Sequence, residues 1–485
     1  MLAAFFLAPF FAPAPRATVA PATVFGAPPA RMTLVTRPLG FDPDGNARWL
    51  VLTKFFDSQG NPTLIMANSD FSWTSRDGRV QWQTRMRFGQ PSAILITPRD
   101  GLLTMTVHAN YPKLGTLKVR TNTRFWPQPR VVAQALGPRA ISIGWFPREE
   151  YAVRVDRVDA RGRRVSTMVP APSSSLLDTG VNASGTYRYA VYRRDRRPVA
   201  LSVTTPAPPP RTTIASVYGK GMWLFFTVNP VDDIYYAHLD PRAIADRAAR
   251  AGLRYVELRF TYGAYWEVDP QAKPTIDAIV DGLAARGIGT IAWTVPRDLS
   301  FEDLAASVRS AYYRTANGTP VRGLAIDVER GDDFMGDAPE GNAALWRYVL
   351  LVRQAMGSRY LIVSNVEDPY LEHLNETSYP FAEIARASSV LQPMTYWRMV
   401  KASTTPAQVG AILRASYAAV RREAGGRVPI SIGGQTAAGP SGAPSPAEIV
   451  ASLEASRKIG ALGECFFAWN DTRDDQWEAL RRYPW

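Results

Sequence analysis

GLAIDVERGDD, residues 323 to 333, decides how the C-terminal half of this chain is read. As a strand it puts Leu324, Ile326 and Val328 on one face and Ala325, Asp327 and Glu329 on the other, because strand side chains alternate with period two. Two acids then point the same way at the strand's end, and Asp332, Asp333, Asp337 and Glu340 follow. The segment is either a reactive site or a very acidic start to a helix. Acids favour helix N-termini, which accounts for Asp337 and Glu340. It does not account for Asp327 and Glu329, which precede the loop, so that pair is read as functional.

Working outward, seven similar runs flank this one: GMWLFFT (221–227), YVELRFTY (255–262), GTIAWTV (289–295), YLIVSNV (360–366), VLQPMTYW (390–397), PISIGGQ (429–435) and ECFFAWN (464–470). Helix-like stretches such as PRAIADRAARAG and KPTIDAIVDGLAARG separate them, several ending at a glycine suited to a C-cap. Eight β/α units in about 265 residues have the size and order of a (β/α)8 TIM barrel. A doubly wound sheet is the alternative, disfavoured because no topological switch is evident.

Upstream the period changes to two. Turn dipeptides at Asp44-Gly45 and Asp77-Gly78 separate runs such as WLVLTKFF, QWQTRMRF and LLTMTVHA, the spacing of a β-sandwich over residues 31–126. A second β module covers 127–203, with AISIGWFP, YAVRVDRVD and TYRYAVYR, and a proline-rich linker occupies 204–213. The expected architecture is therefore multidomain, two all-β sandwiches followed by an α/β barrel over 214–485. Residues 1–30 read as an export signal or an Ala/Pro-rich tether, since the apolar run from Leu2 to Ala12 is too short to span a bilayer. That reading places the protein outside the cell or on its surface, with no transmembrane span.

The formal net charge is +13, and 49 of the 56 basic residues are arginine. Residues 1–211 carry 28 basic and 12 acidic residues, whereas 212–485 carry 28 and 31. The basic surplus belongs to the β modules, which could lie along an anionic cell-envelope polymer. Specific nucleic-acid binding ranks last, because arginine is spread along strands and forms no single run. One cysteine, Cys465, excludes an internal disulfide. The three histidines His108, His238 and His373 are too scattered for a zinc site or a Ser-His-Asp triad, and nothing implies a cofactor.

A barrel's reactive end is the C-terminal end of its strands, where Asp327 and Glu329 would sit facing inward. Like charges in a desolvated barrel mouth would keep one acid protonated beside an ionised neighbour, the arrangement that glycosidic bond cleavage needs. On strand two, Glu257 and Arg259 share the inward face, as a buried ion pair or as a substrate clamp. Asn365 and Glu367 end strand five and Gln435 ends strand seven, as hydrogen-bond partners or structural groups. Tyr262, Tyr265, Trp266, Trp293, Tyr396, Trp397 and Trp469 crowd the same rim, and a set of aromatic faces suits sugar stacking.

Ile326-Asp327-Val328-Glu329 resembles the terminal D-x-E of chitinase-type barrels (glycoside hydrolase family 18) and that of family 25 lysozymes. The resemblance implies Glu329 as proton donor, Asp327 as the residue orienting a substrate acetamido group, and that group's oxygen as nucleophile. Gln392-Pro393-Met394-Thr395-Tyr396 is similar to the chitinase Met-x-Tyr-Asp strand, and Trp469 falls where that family floors its sugar site. Arg322 and Ala325 replace two acids of the full signature, and Trp397 replaces the Asp after the tyrosine. Upstream, PDGNARWLVLTKFFDSQGNP resembles bacterial immunoglobulin-like domains of the invasin type. Tyr187, Tyr189 and Val191 resemble a late strand of fibronectin type III domains. The expected function is an extracellular glycoside hydrolase acting on a polysaccharide, with cell-wall or amino-sugar glycan favoured. The alternative is an inactive barrel that binds carbohydrate as an adhesin. The nucleophile stays open among the acetamido group, Glu257, Glu367 and water.

Overall fold

The computed structural model describes residues 30–485 apart from short segments, of which 226–239 is the longest. The apolar run at residues 2–12, the TVNP segment at 227–230, and Asp332, Asp333 and Asp337 lie outside the described residues.

Eight parallel strands form the C-terminal body: β1 (Gly219–Leu224), β2 (Tyr255–Tyr262), β3 (Gly289–Val295), β4 (Leu324–Val328), β5 (Ile362–Val366), β6 (Val390–Pro393), β7 (Ile432–Gln435) and β8 (Gly463–Phe467). Each of β1 to β5 pairs with the next, β7 pairs with β8, and β8 pairs with β1. Parallel bridges Leu391↔Ile430 and Met394↔Gly433 join the sixth strand to the seventh, so the sheet closes on itself. That closure decides for the barrel over the doubly wound sheet.

The helices between strands include α1 (Pro241–Arg250), α2 (Lys273–Ala284), α3 (Phe301–Ala311) and α4 (Glu340–Met356). The later ones are α5 (Phe381–Ala387), α6 (Pro406–Glu423), α7 (Pro446–Lys458) and α8 (Asp474–Arg482). Two starts are written plainly in the sequence: Thr405 and Ser445 each form a capping box, with Gln408 and Glu448, and proline follows at the first helical position.

Alternation along the strands sorts the side chains as expected. Leu324, Ile326 and Val328 face the helices with Met222, Leu258 and Ile362, whereas Ala325 joins Trp223, Tyr255, Ile291, Val363 and Cys465 in a separate inner core. Tyr255 fills the lower barrel because β1 offers Gly221 opposite it; a Cβ there would lie 2.3 Å from the tyrosine ring. The lower end is pinned by Lys220, which is 2% exposed and donates from Nζ to the carbonyls of Ala251, Leu480 and Tyr483 at 2.6–2.7 Å. Lys220→Met would leave three buried acceptors unpaired. It is expected to lower unfolding stability by about 3–5 kcal/mol, read from denaturant melts.

In the N-terminal part, strands Arg31–Phe41, Ala47–Phe56, Gln90–Thr97 and Gln81–Arg87 pair antiparallel in that spatial order, and Asp70–Ser75, Gly101–Tyr111 and Gly115–Phe125 form another antiparallel sheet. Between residues 130 and 204 a three-stranded and a four-stranded sheet share one core, with Ile141, Ile143 and Trp145 against Val155, Tyr187, Tyr189 and Val191. Immunoglobulin-like and fibronectin-like descent rests on the sequence motifs alone. The linker is docked and does not act as a spacer: Tyr312 donates to the Ala207 carbonyl at 3.0 Å, and Thr212 Oγ1 accepts from the Leu361 amide at 2.6 Å. Leu136 and Ala140 of the adjacent module enter the barrel's outer core.

Candidate active site

Asp327 is the inward residue near the end of β4, and Glu329 follows the strand immediately; both are 6% exposed. They line a pocket at the C-terminal mouth of the barrel together with Trp223, Phe225, Arg259, Tyr262, Trp293, Val295, Phe334, Met394, Tyr396 and Phe467. Its volume is about 580 Å3, including the part open to solvent.

The electrostatics of this mouth follow from burial. Desolvation raises Asp327 above the usual carboxylate range, while the hydrogen bond it shares with Glu329, the Trp293 side chain and the Arg259 charge all pull it back. Glu329 is raised further, by desolvation first and then by the charges of Asp327, Glu367 and Glu372. Two carboxyls sharing a hydrogen bond in a low-dielectric site hold one proton between them. The neighbours of the two differ: the facing acids raise Glu329, whereas the Arg259 charge pulls Asp327 back.

Aromatic rings build the wall. Trp223 lies 6.5 Å from Trp293, 6.4 Å from Tyr396 and 6.0 Å from Phe467, and Phe225 stacks on Phe467 at 6.0 Å. Arg259 sits 5.0 Å from the Phe225 ring centre and 5.7 Å from those of Tyr262 and Trp293. It forms an ion pair with Glu267, at 3.0 Å, whereas Glu257 is paired with the Gln392 and Asn365 amides. The ion pair expected within β2 therefore does not form.

Glu257 instead lies fully buried, accepting from Gln392 Nε2 at 2.9 Å and from Asn365 Nδ2 at 3.4 Å. Burial pushes its carboxyl up to about 7 against the pull of those two amides. Glu367 is held by Arg330, whose Nε, terminal nitrogen and backbone amide all donate to it. Tyr379 caps the same corner, donating to the Val328 carbonyl at 2.6 Å. Gln435 accepts from the Arg398 amide at 2.8 Å and donates to the Ala437 carbonyl at 3.0 Å, bracing a loop.

Three expected rim residues are elsewhere. Trp397 begins a short helical turn, Trp397–Val400, and is buried in the outer core. Trp469 lies in a 3-10 turn beyond β8 and packs edge-on against Trp477 of α8 at 4.7 Å, so it does not floor the pocket. Trp266 likewise packs on Phe260 and beneath Arg309. The floor belongs to Trp223 and Phe467, which sequence reasoning passed over although alternation in GMWLFFT and ECFFAWN places Trp223 and Phe467 inward. Among the described residues, no group of His, Cys, Asp and Glu could hold a metal ion, and no helix is long and apolar enough to cross a membrane.

No family model and no curated protein matches the chain. Among solved structures it is similar to the spore cortex-lytic enzyme SleL of Bacillus cereus, at 11% identity and a TM-score of 0.38, covering 59% of this chain and 78% of that one. It is similar to the chitinase from Chromobacterium violaceum, at 12% identity and a TM-score of 0.38, over 55% of this chain and 98% of that one. A third such structure is the endo-beta-1,4-mannanase from Thermotoga petrophila, at 12% identity and the same TM-score, over 55% and 76%. Similarity at this level carries no argument about activity, which has to come from the residues of the site.

Proposed function

We propose that this protein is a glycoside hydrolase acting on a polysaccharide, with Glu329 as general acid and Asp327 as its ionised partner. The observation that carries this reading is the pair of buried carboxyls, Asp327 and Glu329, at the mouth of a barrel in an aromatic-walled pocket. A protonated acid there can donate to the glycosidic oxygen as the bond breaks, and the rings offer faces to the sugar's C–H surface.

The remaining carboxylates narrow the mechanism. Hydrolases that use two opposed carboxyls hold them on either side of the bond, roughly 5–9.5 Å apart. Among the described residues, the pocket's two acids are neighbours on one strand end. Glu257 is committed to Gln392 and Asn365, and Glu367 to Arg330. The nucleophile in this reading is the substrate's acetamido oxygen, oriented by Asp327 as the resemblance to chitinase-type barrels implies, which favours an amino-sugar glycan; attack by water is the alternative. An extracellular or surface location, with the basic β modules against an anionic envelope polymer, belongs to the same proposal.

The test is release of reducing ends from peptidoglycan, chitin and neutral glycans such as mannan. Release from N-acetylated amino-sugar polymers, lost on their chemical de-N-acetylation, is the expected result. Equal turnover of neutral glycans would remove the substrate-assisted route. Binding without release from any polymer would turn the reading to a carbohydrate-binding barrel.

A further inference from the structure

Beneath the Asp327–Glu329 pair the barrel interior holds a third acid that touches neither the pocket nor a cation. Register places Asp327, Asn365 and Gln392 in one layer across β4, β5 and β6, all inward. Glu257 reaches from β2 to the amides of Asn365 and Gln392, and the inner residue of β4 below Asp327 is only Ala325. Gln392 Nε2 also donates to Asn365 Oδ1 at 3.0 Å, so the two amides and the carboxyl form one closed cluster.

A purely structural cluster at this spot has no use for an acid. Glutamine would fill the same space and take part in the same kind of amide hydrogen bonds without the cost of a buried ionisable group. No ion pair reaches Glu257 among the described residues, so its ionised form is held by the two amides and, more weakly, the Cys465 thiol. The ionisable groups facing it are Asp327 on β4, Cys465 on β8 and Tyr396 beyond β6, with Tyr255 on its own strand. Of these, Asp327 is the only carboxyl.

Building on the hydrolase reading, we propose that Glu257 is a positioning residue of the site, a third carboxyl whose charge sets the pH range in which Asp327 and Glu329 together hold one proton. Ionised Glu257 opposes ionisation of Asp327; neutral Glu257 permits it. The Asn365 and Gln392 amides stabilise the ionised form and so set where that switch lies.

The test uses the full chain and Glu257→Gln, which keeps the volume. Two readouts are taken: the pH profile of kcat/KM on a cleaved glycan, and the carboxyl 13C resonance of Asp327, assigned by its loss in Asp327→Asn. With the like charge gone, the acid limb and the Asp327 titration should both move down by about one to two pH units, the order expected for charges roughly 7–12 Å apart at an effective dielectric near 20, with KM unchanged. If neither moves, Glu257 is structural and the proposal fails. If the resonance moves while the wild type cleaves no glycan, the coupling stands and the hydrolase reading fails. Should Glu257→Gln not fold, Gln392→Met removes a donor to the ionised form and must shift both readouts the same way.

Discussion

Glu329→Gln is expected to lower kcat on a polysaccharide by about 10³-fold or more, at the upper end of what a general acid contributes. The amide keeps the size of the side chain but has no proton to give to a poor leaving group. Leaving-group dependence makes the result diagnostic. An aryl glycoside with a dinitrophenolate leaving group needs no protonation, so Glu329→Gln should retain much more of the wild-type rate on it than on a glycan. An equal loss on both substrates would mean that Glu329 holds the substrate and does not donate the proton.

The fold control follows from the sign of the titration. Burial raises Glu329 above its unfolded value, so the folded state holds the extra proton. Its contribution to stability is present below the unfolded value, near pH 4, and is lost as pH rises through the folded one. Glu329→Gln should therefore melt no lower than the wild type at pH 8. A drop there would assign the lost activity to unfolding.

Asp327→Asn is expected to cost about 10²–10³-fold in kcat, through a different route. The charge of Asp327 is the largest influence on Glu329 after desolvation. Without it, Glu329 loses its proton at lower pH, and the alkaline limb of kcat/KM moves toward acid. The residual activity of Asp327→Asn should thus peak at lower pH than that of the wild type. A loss of rate with an unmoved alkaline limb would leave Asp327 as a substrate ligand with no hold on the acid.

Much of this site is legible in the chain because alternation is a local rule. Asp327, Glu329, Arg259 and Trp293 all face the interior as period two requires, and the same rule applied to β1 and β8 would have found Trp223 and Phe467. The rule fails where the strands stop. β6 ends at Pro393 and a helical turn begins at Trp397, so Tyr396 and Trp397 part company, one lining the pocket and the other packing outside. β8 ends at Phe467, and the 3-10 turn that follows carries Trp469 outward.

Partners distant in sequence were beyond reach. Glu257 meets Gln392 across 135 positions, and Arg330 finds Glu367 across 37. No periodicity encodes either contact. Arg259 was expected to involve Glu257 because they are two residues apart, yet Glu267, brought back by the short strand Tyr265–Trp266, takes its guanidinium. Nothing local distinguishes those two acids as partners.

The most direct measurement is reducing-end release from N-acetylated peptidoglycan and chitin by the wild type and Glu329→Gln side by side, at matched folding and across pH 4 to 8. The account predicts release by the wild type and none above background for the variant, both proteins retaining binding to the same polymer. Release by Glu329→Gln at the wild-type rate would contradict it, because the proton would then come from another group.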